Sequence, residues 1–251
     1  STAGLDHLHG GFHEALTFHA EPVARDKRMR TMGRQIYAFG VAHEMGWKGP
    51  ALDLIDHGIR FIEKHGRSKN GGWVRTLHVD GSVADAAEDS YDHSCVLLAL
   101  AYALKAGHPD AARLGAETFA FIDKHLTIDG GASFLETSDG GTPRRSNPHM
   151  HLFEAFLAWH KVTGDKGYLA RASKIADLFA TRFFDAHTWT LGEFFENGWI
   201  PVAGEQGEWT EPGHHFEWAS LLVEYGEASG RPEFFAYARK LYASAIANGL
   251  N

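Results

Sequence analysis

The pentapeptide FIEKH at residues 61–65 returns almost unchanged as FIDKH at residues 121–125, 60 positions later. Each copy is followed by a glycine pair, at residues 71–72 and again at residues 130–131. Self-similarity at such a spacing is typical of chains in which one supersecondary unit is stacked several times. The sequence therefore predicts a repeat protein.

Helix-ending glycines keep a similar spacing along the chain. Gly46, Gly107, Gly164 and Gly230 each follow an apolar stretch. Glycine is favoured just past the C-terminus of a helix, because it adopts a left-handed conformation there without strain. A second helical stretch follows each of these glycines. The repeated unit is therefore predicted to be a helix, a tight turn, a second helix and a glycine-rich loop.

The two helices of a unit differ in the distribution of their apolar residues. Second helices, such as residues 112–125, have a polar face and are predicted to lie outside. First helices, such as residues 91–107 and 216–226, are apolar nearly all round and are predicted to be buried. An inner ring of buried helices within an outer ring of amphipathic ones is an all-α toroid. A linear solenoid is the alternative, but helices buried on every side favour the toroid.

The number of hairpins bears on how much of a ring is present. First helices are predicted to begin near residues 28, 91, 147 and 212, which gives about four hairpins. A closed ring of six hairpins needs about 360 residues at this repeat length. We therefore expect residues 1–251 to form a single α/α-toroid domain that is incomplete relative to a full (α/α)6 barrel.

Composition and charge restrict the partners. The formal net charge is −8 at pH 7, which argues against nucleic acid or an anionic membrane as the partner. No apolar run approaches the ~20 residues of a membrane-spanning helix, and we see no secretion signal at the N-terminus. The single cysteine, Cys95, cannot form an internal disulfide, so a reducing cytoplasm is the expected location.

Polar residues collect at the N-terminal ends of the predicted inner helices. The expected caps are, in chain order, Asp26, Asp89 or Ser90, Asn147 and Thr210. The pattern His-x-x-Glu occurs at His151 and Glu154. It returns 63 residues later at His214 and Glu217, which predicts equivalent places in the repeat. In a ring these places converge at one end of a central cavity, where helix N-termini favour an oxygen-rich or anionic ligand.

Arg34 interrupts an otherwise apolar helix and is expected to face a cavity or a carboxylate, because burying an unpaired guanidinium is costly. Histidine and glutamate also bind zinc. However, His-x-x-Glu reverses the order of the carboxylate-bundle metal motif, and Arg34 places a positive charge in the same cavity. No metal and no other cofactor is therefore expected. His149 and His215 are predicted to be structural, whereas Asp92 and His93 are left open.

Five stretches of the chain, in order, resemble landmarks of the N-acylglucosamine 2-epimerase superfamily. They are GGFHEAL (10–16), DKRMRTMGRQIYAFG (26–40), YDHSCVLLALA (91–101), NPHMHLFEAFLA (147–158) and EPGHHFEWASLL (211–222). The last two are most similar to the mannose isomerase and sugar isomerase branch. The resemblance implies an (α/α)6 barrel. It also implies a monosaccharide substrate that is interconverted between aldose and ketose, with the mannose–fructose type favoured, or between C2 epimers such as those of N-acylglucosamine, without metal or redox cofactor.

The resemblance also implies roles for individual residues. A histidine at the position of His214 moves a proton at the C1–C2 unit of the sugar, and an arginine at the position of Arg34 binds oxygen atoms on which charge develops. Glu217 is expected to orient or tune His214. The expected substrate-binding residues are Tyr91, Asn147, His151, Glu154 and Glu217.

The family uses a second histidine late in its chain, and nothing in residues 1–251 corresponds to it. Three explanations remain open: the chain is a fragment, a second copy completes the ring as a homodimer, or this form is inactive.

Two other classes of function compete with the isomerase. An (α/α)6 glycoside hydrolase or lyase would need two opposed carboxylates. Asp89, Asp92, Glu154 and Glu217 could supply them, but each lies beside a histidine or a helix cap. A non-catalytic sugar-binding protein is the third possibility.

Overall fold

The computed structural model describes residues 3–249. The chain divides into two compact units, one ending at Leu126 and the other beginning at Thr127. Helices dominate both units, and the strands are only two or three residues long. No helix in residues 3–249 is long and apolar enough to cross a membrane.

The first unit consists of two helix pairs and the loops that join them. Its elements are β1 (Ala15–Leu16), β2 (Pro22–Val23), β3 (Lys27–Arg28), α1 (Met29–Glu44), α2 (Ala51–His65), β4 (Thr76–Leu77), β5 (Val83–Asp85), α3 (Ser90–Lys105) and α4 (Ala111–Phe121). The last turn after α4 widens into a π-helix over Ile122–Leu126. Helix α1 packs on α2 and α3, and α3 also packs on α4. The strands form the antiparallel sheets β1–β2 and β3–β4–β5.

The second unit repeats this plan. Its elements are β6 (Thr127–Ile128), β7 (Ser133–Phe134), β8 (Arg144–Arg145), α5 (Ser146–Thr163), α6 (Lys166–Leu178), β9 (Phe194–Glu196), β10 (Ile200–Pro201), α7 (Glu205–Glu208), α8 (Pro212–Ser229) and α9 (Phe234–Gly249). Helix α5 packs on α6 and α8, and α8 packs on α9. The antiparallel sheets are β6–β7 and β8–β9–β10.

Burial agrees with the predicted difference between first and second helices at α3 and α4, but not at α8. Helix α3 is buried on nearly all sides, and α4 exposes a polar face that includes Arg113 and Glu117. The prediction that residues 216–226 are buried all round is wrong. Helix α8 buries Trp218 and Leu222, but Val223 is exposed, because within this unit α8 packs against its neighbours on one side only.

The helix ends agree with the sequence in part. All four predicted glycines lie at or just after a helix C-terminus with a positive φ, for example 73° at Gly164. Asp89 caps α3 through its side chain, as predicted. The predicted caps Asp26, Asn147 and Thr210 are wrong. The residues at those helix starts are Arg28, Arg145 and Glu211, and none of them makes a side-chain cap hydrogen bond.

A buried histidine ties a loop to the start of three of the inner helices. In each case Nδ1 lies within hydrogen-bond distance of the carbonyl of the residue four positions earlier, and Nε2 accepts a backbone N–H from the preceding loop. The three sets are His93 with Asp89 and Trp73 (2.7 and 3.0 Å), His149 with Arg145 and Phe134 (3.1 and 3.0 Å), and His215 with Glu211 and Leu191 (2.8 and 3.2 Å). These histidines fix where each loop meets its helix.

Burial keeps two of these histidines neutral. It lowers the pKa of His93 to about 4 and that of His149 to about 3, although a backbone carbonyl bonded to each ring acts in the opposite direction. The hydrogen-bond pattern requires the tautomer with the proton on Nδ1, because Nε2 is the acceptor. The prediction that His149 and His215 are structural is confirmed, and His93 joins them.

Candidate active site

A polar cavity of about 460 Å³ lies at the N-terminal end of α8 in the second unit. This volume falls within the roughly 300–1,000 Å³ of small-molecule sites. Its lining consists of Arg145, Asn147, Glu193, Phe194, Trp209, Thr210, Glu211 and His214. Two of these residues, His214 and Asn147, are candidates from the sequence.

His214 is paired with a carboxylate that the sequence did not reveal. Its Nδ1 lies 3.0 Å from Oε1 of Glu193, whose side chain is only 7% exposed. The other oxygen of Glu193 accepts a hydrogen bond from the Ser146 hydroxyl at 3.2 Å. Within residues 3–249, Nε2 of His214 has no hydrogen-bond partner. The carboxylate favours the tautomer with the proton on Nδ1, so the lone pair of Nε2 is free to accept a proton.

The fold places Glu193 by anchoring the chain on both sides of it. Two residues earlier, Leu191 donates its N–H to His215, the neighbour of His214 in α8. The Glu193 carbonyl accepts the Ser146 N–H at 3.2 Å, and the next residue pairs with Arg145 in the β8–β9 ladder. Adjacent residues in a helix point about 100° apart. The buried side chain of His215 therefore binds the loop on one side of the helix, while His214 contacts the Glu193 carboxylate on another.

Several charges act on the pKa of His214. Burial lowers it, but the Glu193 carboxylate and the negative charges of Glu217 and Glu211 act against burial, and the net result is a pKa above the ordinary 6.5. The imidazole is therefore a stronger base than a free histidine. A base with a pKa near working pH is what proton abstraction next to a carbonyl requires.

The two His-x-x-Glu pairs do not occupy equivalent places, so this prediction is wrong. The buried histidines His149 and His215 are the equivalent positions, and they lie 66 residues apart rather than 63. The pairs are consequently offset by three residues. Glu217, rather than His214, corresponds to His151 in the repeat.

This offset changes the partner of Glu217. Glu217 was expected to orient or tune His214, but among the described residues it makes no hydrogen bond to His214, and Glu193 orients the imidazole instead. Oε2 of Glu217 lies 3.8 Å from Nε2 of His151. The predicted pair of His151 and Glu154 is present, with Nδ1 3.0 Å from Oε2. Glu217 still tunes His214, because its charge helps to raise the pKa.

Asn147 lies inside the first turn of α5 rather than capping it. Its Oδ1 is buried, and no described residue hydrogen-bonds to it. Asn147 lines the cavity, and its Oδ1 is a buried acceptor beside it. Next to it, Arg145 is held by Glu136, which accepts hydrogen bonds from Nε at 2.7 Å and from the backbone N–H at 2.6 Å.

Arg34 and Tyr91 lie together in the first unit. The Arg34 guanidinium donates to the Tyr91 hydroxyl at 2.5 Å and lies 5.4 Å from the centre of its ring. Arg30 lies 4.9 Å from the same ring and is paired with buried Asp92 at 3.0 Å. Burial raises the pKa of Asp92 to about 7, although Arg30 acts against it. Asp92, which the sequence left open, therefore anchors Arg30 beside Tyr91.

Metal ligands are not brought together in the part of the chain that the structure describes. No group of three or more histidine, cysteine, aspartate or glutamate side chains in residues 3–249 is placed to hold a metal ion. The carboxylates nearest to His214 and His151 are each bound to, or directed at, an imidazole nitrogen. The donor set of the cavity therefore suits hydrogen bonding and proton transfer.

The structure thus defines an all-α protein of helical hairpins with a glutamate-paired histidine in a polar cavity. The chain belongs to the N-acylglucosamine 2-epimerase (GlcNAc 2-epimerase) family, whose model matches residues 10–251. It shares the fold of cellobiose 2-epimerase from Bacillus thermoamylovorans B4167, with a TM-score of 0.89 and 18% identity, over 99% of this chain and 68% of that one.

Two relatives are similar in sequence. One is a mannose-6-phosphate isomerase from Rhizobium meliloti (strain 1021), 36% identical over 250 residues, which cover 95% of this chain and 63% of the relative. The other is a D-mannose isomerase from Thermobifida fusca, 34% identical over 233 residues, which cover 86% of this chain and 57% of the relative. The chain therefore spans about three-fifths of the length of these relatives.

Proposed function

We propose that the protein is a sugar isomerase that interconverts an aldose with its ketose at C1–C2, with mannose and fructose as the favoured pair. The observation that carries this proposal is the free Nε2 of His214, which lies in a polar cavity while Glu193 holds Nδ1. The similarity to a D-mannose isomerase and a mannose-6-phosphate isomerase supports the choice of reaction.

In the proposed reaction His214 is the proton carrier. Nε2 removes the proton from C2 of the open-chain aldose, which leaves an enediolate, and returns a proton to C1, while the proton of the C2 hydroxyl passes to O1, to give the ketose. A positioned base of this kind contributes about 10²–10⁴ to the rate. Return of the proton to the other face of C2 would give the epimer instead, so 2-epimerisation of an N-acylglucosamine or another sugar is the alternative within the same chemistry.

The remaining candidates are proposed to bind the substrate. Arg34 supplies positive charge to the oxygen atoms of the enediolate, and the Tyr91 hydroxyl binds beside it. In the second unit the side chain of Asn147, which lines the cavity, is proposed to bind a sugar hydroxyl. His151, held by Glu154 and approached by Glu217, is proposed to contact the sugar oxygens. We propose that these side chains suffice without a metal or other cofactor.

We also propose that residues 1–251 contribute to a single (α/α)6 toroid. The repeated helix pairs support this proposal, as does the likeness to cellobiose 2-epimerase over almost the whole chain. The glycoside hydrolase alternative is less well supported, because it needs two opposed carboxylates, whereas Glu154, Glu193 and Glu217 each lie beside an imidazole.

Incubation with D-mannose in D₂O tests the proposal. An isomerase forms fructose that carries deuterium at C1, and the mannose regenerated by the reverse reaction carries deuterium at C2; both are visible by NMR, and both appear in the presence of EDTA. A 2-epimerase exchanges the C2 proton but forms glucose. A hydrolase or a binding protein leaves the spectrum of the free monosaccharide unchanged, and that result would contradict the proposed function.

A further inference from the structure

The internal repeat places a charged residue at the same point of four connecting loops. These residues are Glu14, Arg75, Glu136 and Glu193, at spacings of 61, 61 and 57. The last three each lie two positions after a residue whose N–H is accepted by a buried histidine. The four positions are therefore structurally comparable, and each serves as an internal control for the others.

In three of the four repeats this residue binds the residue that precedes the next inner helix. Glu14 pairs with Arg28 before α1, with Oε1 2.5 Å from Nε and Oε2 3.1 Å from the backbone nitrogen. Glu136 binds Arg145 before α5 in the same manner.

Arg75 donates at 3.2 Å to the side chain of Asp89, the residue before α3. Here the cation lies in the loop and the anion at the start of the helix, but an ion pair again joins the two positions. The ordinary role of this position is therefore to hold a loop to the start of a helix.

The fourth repeat breaks this rule. The residue before α8 is Glu211, which has the same charge as Glu193, so the pair cannot form. The Glu193 carboxylate instead lies against Nδ1 of His214 and the Ser146 hydroxyl, and the residue is 6% exposed. A carboxylate that holds a helix start in other repeats has here become the partner of an imidazole in a cavity.

We propose that Glu193 is the positioning residue of His214. It can serve this role because the residue before α8, Glu211, is acidic and does not pair with it. The inference rests on the isomerase or epimerase reaction proposed above. Glu193 holds the Nδ1 proton throughout, and the proton exchanged with the sugar binds only Nε2. Glu193 is thus required for the imidazole to keep one tautomer and one orientation during turnover.

The first test uses Glu193→Gln and Glu193→Ala with two readouts. The ¹⁵N shifts of His214, assigned by comparison with His214→Asn, should show loss of the fixed Nδ1–H tautomer and a lower pKa. The kcat should fall by about 10–100-fold with a much smaller change in KM. Glu14→Gln is the matched control, because it removes the equivalent carboxylate from a purely structural pair. It should lower thermal stability and leave the His214 signals and the pH profile unchanged.

The second test restores the cation that the other repeats have. In Glu211→Arg the new guanidinium should capture Glu193, which removes it from His214. Glu211→Ala removes the charge without offering Glu193 a hydrogen-bond donor and should leave the Nδ1–H tautomer in place. Glu211→Arg should therefore reproduce the tautomer change of Glu193→Gln, and the two substitutions together should cost little more than either alone.

The outcomes separate the two proposals. If the active protein keeps the His214 tautomer and its kcat in both Glu193 variants, Glu193 is not a positioning residue, while the proposed function stands. If the wild-type protein exchanges no sugar proton, the proposed function fails, and the role of Glu193 in a reaction fails with it, whatever the NMR signals show.

Discussion

The carboxylate of Glu217 lies 3.8 Å from Nε2 of His151 on α5, although His214 is only three residues away in its own helix. The three-residue offset between α5 and α8 produces this arrangement. As a result, Glu193 is the carboxylate that hydrogen-bonds to His214. The negative charge of Glu217 acts on His214 and also lies near His151. Glu193 therefore both orients His214 and raises its pKa, whereas Glu217 acts on His214 through its charge alone.

The separate tuning role of Glu217 predicts a shift in pH dependence. A base must be unprotonated, so kcat should rise with pH through the pKa of His214, which lies above 6.5. Glu193, Glu217 and Glu211 raise this pKa, while Arg145 is the cation in the cavity lining. Removing one negative charge makes protonation less favourable. Glu217→Gln should therefore move the rising limb to lower pH, and a limb that stays in place or moves upward contradicts the role.

Arg34 and Tyr91 form one hydrogen-bonded unit and should act as one. We expect Arg34→Ala to lower kcat/KM by about 10²–10³, the range for loss of an oxyanion-stabilising group. Tyr91→Phe removes the hydroxyl that Arg34 binds at 2.5 Å. The double variant should lose much less than the product of the single losses. Additive losses in this double-mutant cycle would show that the two residues contribute independently.

Trp209 at the cavity mouth should bind the apolar face of a sugar ring. It is 58% exposed and packs edge-on against Phe194, with 6.1 Å between ring centroids. Trp209→Ala should raise KM about tenfold, equivalent to about 1.4 kcal/mol, with little change in kcat. Trp189→Ala is the control, because this exposed tryptophan does not line the cavity. A loss confined to kcat would instead place Trp209 in the transition state.

His149 should make stability depend on pH. Burial lowers its pKa to about 3 in the folded chain, whereas in the unfolded chain it titrates near 6.5. Between these values the unfolded state binds more protons, so the stability that this residue contributes is present above pH 6.5 and is lost as the pH falls.

Replacing His149 with glutamine isolates this effect. Glutamine keeps a side-chain acceptor for the Phe134 N–H but does not titrate, so His149→Gln should cost about 1–3 kcal/mol at pH 7.5. The difference from wild type should then shrink by about 1.4 kcal/mol for each pH unit below 6.5. Urea unfolding at pH 7.5, 6 and 5 measures it. Parallel stability curves for the two proteins would mean that His149 titrates normally in the folded state.

Much of the fold followed from local rules that the sequence displays directly. The glycines that end helices, such as Gly164, and the all-apolar run of α3 need no tertiary information to be recognised. The error at α8 has a physical cause. The hydrophobic pattern predicts which residues prefer burial. Which sides of a helix are covered depends on the elements that pack against it, and in α8 these leave Val223 exposed.

The candidate site was harder to predict, because its register depends on contacts that are distant in sequence. The sequence assigns different roles to His214 and His215, but their partners become known only with the loop that carries Leu191 and Glu193. That loop has no helical periodicity, and Glu193 lies 21 residues from its partner. One signal was present in the sequence: charged residues recur at similar spacings of 61, 61 and 57 at Glu14, Arg75, Glu136 and Glu193.

The central claim is that Nε2 of His214 carries the proton between sugar carbons. The most direct measurement is the rate of C2 proton exchange and fructose formation from D-mannose in D₂O by wild type and His214→Asn, with circular dichroism to confirm that both are folded. We predict that wild type exchanges the proton and forms fructose, and that the variant loses both by a factor of about 10²–10⁴. A folded His214→Asn protein that exchanges and isomerises at the wild-type rate would contradict the claim.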